Sequence, residues 1–489
     1  MTLDQILLLG SIIVPALSSA LLFAGIGGGD YWAKKLAYIG FGFPFIAGIV
    51  LFFNFDGSNG GYCFEIFHPR MGLQELKITF HLGLNGVSSP LFAMAGVVGL
   101  AAGLTAIRSG AERLRLYLAL LLVMQSGLMG LFASIDLFFY YLFHEFALIP
   151  TFIMIGLWGG RDRRSIALEI TIYLTLGALL SLGGLVALNV MVDAEKFDFP
   201  SLSLALANAE MLESTQIKIF GLLLIGFGIL VALFPFHTWS PDGHASAPTA
   251  VSMLHAGVLM KLGGYGVFRV ALFLLPAGAM HWDWFFIILA ATGVIYGAFG
   301  ALKQTDLKYI NAYSSVSHLG MVLFALLMLN KTAWNGAILQ SLSHGFMTAL
   351  FFALIGIIYS RTHTRDIYKL GGLLKTIPFI SAMYVIAGLA SLGLPGFSGF
   401  VAEMNIFVGA FQHEELFYRI ATIVSVSAIV VTAVYILRVV GIMLMGQVKN
   451  KEYLELQDAT WYETTGILLS KSAVLKCSSI SLAPFNNSL

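Results

Sequence analysis

Charge is scarce in this sequence. Of its 489 residues, 11% are Asp, Glu, Lys or Arg and 58% are hydrophobic. A soluble globular protein carries about 25% charged residues, so this composition excludes that class and predicts an all-α polytopic membrane protein. The formal net charge of +1 argues against nucleic acid as a partner.

Cysteine is nearly absent. Cys63 and Cys477 lie far apart in the sequence and form no CxxC or other metal-ligand spacing. Disulfide, haem and iron-sulfur interpretations therefore have no support, and we expect no metal, no bound cofactor and no electron transfer in this chain. The first apolar segment also lacks a basic flank and a small-residue cleavage site, so it is interpreted as a spanning helix rather than a removable signal.

Long apolar stretches are abundant, and windows of about 20 residues predict thirteen spanning helices. These lie near 5–25, 36–54, 86–107, 114–133, 135–158, 166–191, 217–237, 248–274, 283–301, 309–329, 333–360, 377–410 and 420–446. A fourteenth, near 464–485, carries Lys471 and Lys476 and is left open between a marginal helix and an altered terminus. The polar segment around Asp56 and Gly60 predicts an extramembrane loop.

Basic residues concentrate in the loops after odd-numbered helices. Examples are Lys34, Arg108, Arg163, Lys303 and Arg361. The loops after even-numbered helices hold fewer, mainly Arg70, Lys77, Lys196, Lys218, Arg269, Lys331 and Arg419. The positive-inside rule therefore predicts cytoplasmic odd loops and an N-terminus on the outer side.

Turn residues interrupt two of the predicted helices. The seventh breaks at Pro235 and the twelfth breaks within 393–399. If helices four to eight and nine to thirteen form two inverted five-helix repeats, each break falls in the fourth helix of its repeat, as in ion transporters with broken helices. The predicted units are 1–110, the first repeat 111–275, the second repeat 280–447, and the C-terminal segment 448–489.

Charged residues inside apolar spans are the strongest functional signals. Lys261 lies within the eighth predicted helix, Glu145 within the fifth and Glu403 after the second break. A charge at bilayer depth costs roughly 2.5 to 3.5 kcal/mol, so such a residue usually faces a protein interior or a water path. Snorkelling to the interface or a purely structural role remains the alternative for each.

Four histidines accompany these charges. His318 and His344 lie on neighbouring helices, His237 lies at the first break, and His255 shares its helix with Lys261. Imidazole titrates near neutral pH and has two exchangeable nitrogens, so the set predicts a proton relay. A hydrogen-bonded structural role is the alternative for each. Lys308 is interpreted as a charge at the cytoplasmic end of a helix.

Four segments resemble the M-type (chain 4) antiporter-like subunits of respiratory complex I, the proton-translocating NADH:quinone oxidoreductase. They are HEFALIPTFIMIGLWGG, FPFHTWSPDGHASAPTAVSMLHAGVLMKLGGYGVFR, ALKQTDLKYINAYSSVSHLGMV and LPGFSGFVAEMNIF. The resemblance implies fourteen helices, a multi-pass subunit of an energy-transducing inner membrane, and proton pumping driven by quinone reduction elsewhere. It also implies other membrane-arm subunits as partners, with quinone and NADH bound only by those. Glu145, Lys261 and Glu403 then occupy the family positions on the fifth, eighth and twelfth helices, and His318 and His344 lie on the central polar axis.

Leu230 departs from this family pattern. The family has a lysine at that position, paired with the fifth-helix glutamate, whereas here no basic residue lies between Lys218 and His237. His237, His255 or a water-filled cavity could replace the lysine, or this chain could pump weakly or not at all. The alternatives to a complex I pump are therefore a non-pumping scaffold and a subunit of a sodium/proton antiporter or hydrogenase-type complex, which share the fold.

Overall fold

A computed structural model describes residues 1–26, 29–69, 71–72, 75, 77–208 and 211–476. The chain is mostly helical, and eleven helices in the described ranges are long and apolar enough to cross a membrane. The predicted membrane class is therefore confirmed. Arg70, Cys477 and the end of the predicted fourteenth helix lie outside the described residues.

The described residues of the first half of the chain form nine α-helices, with a two-stranded hairpin between the second and third of them. The helices are α1 Leu3–Phe23, α2 Asp30–Asn54, α3 Ser88–Ile107, α4 Leu114–Ala133, α5 Leu137–Trp158, α6 Arg163–Val192, α7 Phe199–Asn208, α8 Glu213–Leu230 and α9 Trp239–Ser246. The strands are β1 Cys63–His68 and β2 Phe80–Leu84, which pair antiparallel.

The second half begins with a span that we call the lysine span, Thr249–Leu272. It consists of α10 Thr249–Leu254, a π-helical turn His255–Leu259, α11 Lys261–Gly266 and a second π-helical turn Val267–Leu272. The remaining helices are α12 Pro276–Lys303, α13 Leu307–Leu326, α14 Lys331–Thr362, α15 Leu373–Thr376, α16 Pro378–Ser391, α17 Ser398–Phe411, α18 Leu416–Met443 and α19 Trp461–Lys476.

Side-chain caps fix the starts of three long helices. Asp136 accepts hydrogen bonds from the first backbone amides of α5, Asp306 does so for α13, and Asn330 does so for α14. These caps satisfy amide groups that have no partner within the helix. They place the helix starts within two residues of the positions that the hydropathy pattern predicts.

Both predicted helix breaks are confirmed. The seventh predicted helix ends at Leu230, and the chain becomes helical again only at Trp239. The twelfth divides into α16, which ends at Ser391, and α17, which begins at Ser398. Each break leaves backbone groups without helical partners, which is tolerated at membrane depth where they are buried in protein or line a cavity.

The polar segment after α2 is more ordered than the predicted loop. Its strands pair Ile66 with Leu82 and Phe67 with His81, and Tyr62 reaches Arg269 at one end of the lysine span. We call the end of the bundle that carries β1 and β2 the hairpin end, and the opposite end, which carries Arg108 and Arg361, the basic end. The alternating residues of β1 and β2 were a strand signal that the loop interpretation overlooked.

His81 fastens the hairpin to α7 through two acidic side chains. Its Nδ1 lies 3.2 Å from Asp198 Oδ2 and its Nε2 lies 3.1 Å from Glu65 Oε2. Burial lowers the pKa of His81, but hydrogen bonds to Asp198 and Glu65 outweigh burial and raise it above the usual value. The same contacts outweigh burial at Asp198 and lower the pKa of that carboxyl.

This arrangement predicts a pH-dependent hairpin. Because the pKa of His81 is raised, its contribution to the stability of the hairpin is complete below the usual histidine pKa. That contribution is lost as pH rises through the raised pKa. We therefore expect amide exchange in β1 and β2 to accelerate at alkaline pH, beyond the intrinsic chemical rate. His81→Gln should remove that pH dependence while keeping a side chain that can hydrogen-bond. An unchanged profile in this variant, measured by hydrogen exchange, would contradict the role of His81.

Candidate functional site

Lys261 lies at the centre of the bundle. Its side chain is 1% exposed, and its Nζ donates to the Ala256 carbonyl at 2.5 Å and lies 2.8 Å from His344 Nδ1. Snorkelling is excluded by this burial, because the amine has no route to the interface. The expectation that Lys261 faces the protein interior is therefore confirmed.

The helix around Lys261 is irregular on both sides. Each π-helical turn replaces the regular hydrogen-bond ladder, and such turns are common at functional sites. Ala256 lies in the first turn, and its carbonyl accepts a hydrogen bond from the Lys261 ammonium. The irregular backbone thus provides the ammonium with an acceptor inside the bundle.

A series of polar side chains continues from Lys261 into the second half of the chain. The His344 ring lies 5.4 Å from the His318 ring. His318 Nδ1 lies 3.0 Å from Gln340 Nε2, and its Nε2 lies 3.3 Å from Ser391 Oγ. His344 Nε2 is buried without a partner. The structure therefore brings together Lys261, His344 and His318, which the sequence places on three different helices.

His255 extends the series towards the basic end. Its ring lies 4.7 Å from the His244 ring, and both of its nitrogens are buried without partners. We define the buried polar row as His244, His255, Lys261, His344 and His318. Its members are each 3% exposed or less.

His244 was not among the residues predicted from the sequence, and the ammonium of Lys308 does not lie where it was predicted. His244 lies in α9, within a polar connection that was interpreted as loop, and its Nε2 lies 3.0 Å from Met260 Sδ. Lys308 does lie at a helix start, but it is 6% exposed and its Nζ donates inward to the Ala247 carbonyl at 2.5 Å. The signal for His244 was its short distance in sequence from the first break.

Glu403 lies beside the second helix break. It is 6% exposed, and its carboxylate packs directly against Gly393, which has a φ of +61°. A side chain at Gly393 would be strained by that φ and would overlap the carboxylate. Tyr435 connects this region to the row, since it hydrogen-bonds Ser314 at 2.7 Å and interacts with both Ser391 and Glu403.

Glu145 and His237 are not in contact with the buried polar row. The Glu145 side chain is 23% exposed, and its Oε1 lies 3.6 Å from His144 Nδ1. His237 is 4% exposed, stacks on Phe234 with ring centroids 5.3 Å apart and meets the edge of Tyr296. No hydrogen bond or ring contact among the described residues joins either side chain to Lys261.

The chemical capacity of this site is proton exchange. It combines an amine, several imidazoles and a carboxylate, all of which can bind and release a proton within the bundle. No group of three or more His, Cys, Asp or Glu side chains in the described part of the chain is arranged to hold a metal ion.

Comparison with known proteins places this arrangement in a family. The family model described as NADH:quinone oxidoreductase/Mrp antiporter, TM matches residues 134–432, more than half of the chain and the whole buried polar row. The chain belongs to this family of antiporter-like membrane subunits. Within it, NADH-quinone oxidoreductase subunit M of Rickettsia conorii is 33% identical over 423 residues, which cover 86% of this chain and 84% of that protein.

Two further matches agree with this family assignment. NAD(P)H-quinone oxidoreductase chain 4 3 of a Picosynechococcus strain is 36% identical over 378 residues, covering 76% of this chain and 68% of that protein. A chain of respiratory complex I from Thermus thermophilus superposes with a TM-score of 0.87 and 26% identity, covering 98% of this chain and 97% of that one. The predicted resemblance to subunit M is confirmed, and so is the antiporter-like helical fold.

Proposed function

We propose that this chain is a proton-translocating membrane-arm subunit of an NADH:quinone oxidoreductase. It moves protons across an energy-transducing inner membrane while NADH and quinone react in other subunits of the complex. The observation that carries the proposal is the contact between Lys261 and His344, a buried amine 2.8 Å from an imidazole nitrogen. The family membership supports the partners, which are the other membrane-arm subunits.

The spacing of the row couples one protonation to the next. Two unit charges 5.4 Å apart, the separation of the His344 and His318 rings, repel by about 3 kcal/mol at an effective dielectric near 20. The two imidazoles are therefore not charged at the same time, and a proton that binds to one of them favours the release of a proton from the other. A proton that leaves Lys261 for His344 makes the amine ready to accept another.

The helix breaks support two inverted repeats, 111–275 and 280–447, as units of this pump. We take His237 and His244, which follow the break after Leu230, to lie on the entry side of the row, and Glu403, which follows the break after Ser391, to lie on the exit side. We assign the basic end to the cytoplasm and the hairpin end to the outside, following the distribution of Lys and Arg. Protons then enter near His244 and leave past Glu403.

A scaffold that does not pump is the second candidate, and Leu230 favours it. Leu230 is buried at the position where the family has a lysine, so Glu145 lacks that partner. The contacts from Lys261 through His344 to His318 do not involve Leu230, and for this reason we prefer the pump. Leu230→Lys would supply this cation. We expect it to raise proton translocation if the lack of the cation impairs proton transfer in the first half of the chain.

A subunit of an Mrp-type antiporter is a third candidate, because the matching family includes both groups. The names of the relatives favour the oxidoreductase. The genes beside this one distinguish the two, since quinone-site and iron-sulfur subunits accompany an oxidoreductase and small antiporter subunits accompany the alternative.

Glu403→Gln tests the proposed pump. We expect proton transfer through this subunit to slow by at least about 100-fold, as when a general acid or base is removed, and the number of protons moved per electron to fall. Electron transfer with the membrane uncoupled should be retained. The measurement is proton uptake per NADH oxidised in vesicles that contain the whole complex.

Glu414→Gln is the matched control, because Glu414 is an exposed carboxylate near the same end of the bundle. It should leave the proton to electron ratio unchanged. A normal ratio with Glu403→Gln as well would favour the scaffold over the pump.

A further inference from the structure

Arg269 is a second cation on the lysine span, which the pump described above does not use. It lies eight positions beyond Lys261, about 12 Å further along a helix, within the second π-helical turn and towards the hairpin end. Lys261 and Arg269 are therefore arranged in series between the centre of the bundle and the outer surface.

Among the residues that the structure describes, the guanidinium of Arg269 has no acidic partner. Its Nη2 donates to the Tyr62 hydroxyl at 2.6 Å, and its guanidinium faces the rings of Tyr62, Phe199 and Phe273 at 5.4 to 5.7 Å. No ion pair joins it to a carboxylate among the described residues, and its Nε is buried without a partner. The positive charge is thus held in place by neutral groups and is not compensated.

A small cavity adjoins Lys261 and is also lined by Tyr265 and Phe268, which lie between the two cations in the sequence of the lysine span. Its volume is about 20 Å³, and Lys261, Tyr265 and Ser341 are among its lining residues. A cavity needs roughly 10 to 15 Å³ to hold a water molecule, together with at least two polar partners. This space is large enough for one water beside Lys261, and Tyr265 also lies within hydrogen-bonding reach of Arg269. Tyr265 is therefore the polar side chain that adjoins both the cavity beside Lys261 and the guanidinium of Arg269.

We propose that Arg269 is an electrostatic barrier that prevents protons at the hairpin end from returning to Lys261. This inference rests on the proposed function, since a pump that stores a proton gradient must block the reverse step. At a distance of about 4 Å and an effective dielectric near 20, a fixed positive charge lowers the equilibrium population of a second cation by roughly three orders of magnitude. Arginine is suited to this role because its guanidinium cannot give up its proton under any ordinary condition.

The same geometry allows a different explanation, in which Arg269 only anchors the hairpin through Tyr62. Three variants separate the two. Arg269→Gln removes the charge, Arg269→Lys keeps the charge without the planar guanidinium, and Tyr62→Phe removes the anchoring hydroxyl but leaves Arg269 charged. A barrier depends on charge, whereas an anchor depends on the hydrogen bond.

The experiment measures passive proton leak in proteoliposomes that contain the purified complex. Electron transfer is stopped by omitting NADH, and a pH difference is imposed by a rapid change of the external pH. Equal potassium on both sides with valinomycin compensates the charge of the proton flux, and an internal pH dye reports the decay of the pH difference. We expect Arg269→Gln to leak about 10-fold faster than the unmodified complex or more, and Tyr62→Phe to leak at the unmodified rate. Arg269→Lys should leak more slowly than Arg269→Gln but faster than the unmodified complex, because a buried ammonium can release its proton. Equal leaks for Arg269→Gln and Tyr62→Phe, or no added leak in Arg269→Gln, would overturn the barrier.

Two additional variants complete the test. Should Arg269→Gln fail to assemble, Arg269→Met removes the charge and keeps most of the aliphatic stem. Adding Lys261→Met to Arg269→Gln should return the leak to its baseline, because the leak passes through Lys261, and a persistent leak would contradict the barrier at that site. Failure of the proposed pump is seen separately, as normal translocation by Lys261→Met during NADH oxidation.

Discussion

Lys261→Met is expected to abolish proton translocation by this subunit. Methionine has nearly the length of lysine and fits an apolar interior, so the substitution removes the proton-binding group with little change in packing. His344 Nδ1 and the Ala256 carbonyl, which lie 2.8 and 2.5 Å from Nζ, then lose their shared partner. Since a positioned acid or base contributes about 10² to 10⁴-fold to a proton transfer, less than about 1% of the normal transfer rate should remain.

The measurement is the number of protons moved per electron in vesicles with the intact complex, together with NADH oxidation when the membrane is uncoupled. Lys331→Met is the control, because Lys331 is an exposed lysine at the start of α14. His344→Leu alone should also stop transfer, and the double substitution Lys261→Met with His344→Leu should be no worse than either alone, since both groups serve one step. Full translocation by Lys261→Met would remove the basis of the proposed mechanism.

The depth of a charged side chain in the membrane could be predicted from the sequence, but the neighbours that the side chain meets within the bundle could not. Lys261 and Glu145 each lie near the middle of an apolar stretch, and the sequence ranked them alike. The structure buries Lys261 almost completely and leaves the Glu145 side chain 23% exposed. Hydropathy averages over all faces of a helix, so it reports position along the helix axis and not which neighbour a side chain meets.

The contacts of the row depend on helices that are distant in sequence. Lys261 and His344 are 83 positions apart, and no local pattern indicates that their helices touch. His244 was overlooked for a related reason, because its surroundings of Asp, Gly, Ser and Pro are typical of a loop. Only the short helix α9, packed beneath the break after Leu230, places this imidazole beside His255. The break itself was predictable, since Pro235 removes a backbone donor.

For Lys308, the position on the helix could be predicted but the direction of the side chain could not. Its position at the start of a spanning helix was predicted correctly, and a lysine at such a position ordinarily extends towards water. The structure turns it inward to the Ala247 carbonyl. The Ala247 carbonyl, just past the end of α9, accepts from both Lys308 and the Ser252 hydroxyl. The identity of these donors depends on tertiary packing.

Gly263→Ala is expected to cause a severe loss of assembly, and this prediction tests how the lysine span is held. The span crosses α8 so closely that a Cβ at Gly263 would lie 2.5 Å from the Phe227 carbonyl oxygen and 2.7 Å from the Val231 amide nitrogen. Backbone atoms cannot rotate away as a side chain can, so one helix must move. Overpacking of this kind costs about 1 to 3 kcal/mol or more, and the movement would also displace Lys261, two residues away.

The neighbouring glycine offers a matched control within the same turn. A Cβ at Gly264 would meet only Val322 Cγ1, at the ordinary contact distance of 3.5 Å. Gly264→Ala should therefore assemble normally and gain up to about 1 kcal/mol from the better helix propensity of alanine. The amount of this subunit in the intact complex, compared on native gels across a temperature series, measures both variants. Equal assembly of the two would show that the crossing with α8 does not hold the lysine span in place, and that the contact between Lys261 and His344 must be maintained by the helices on the other side of the row.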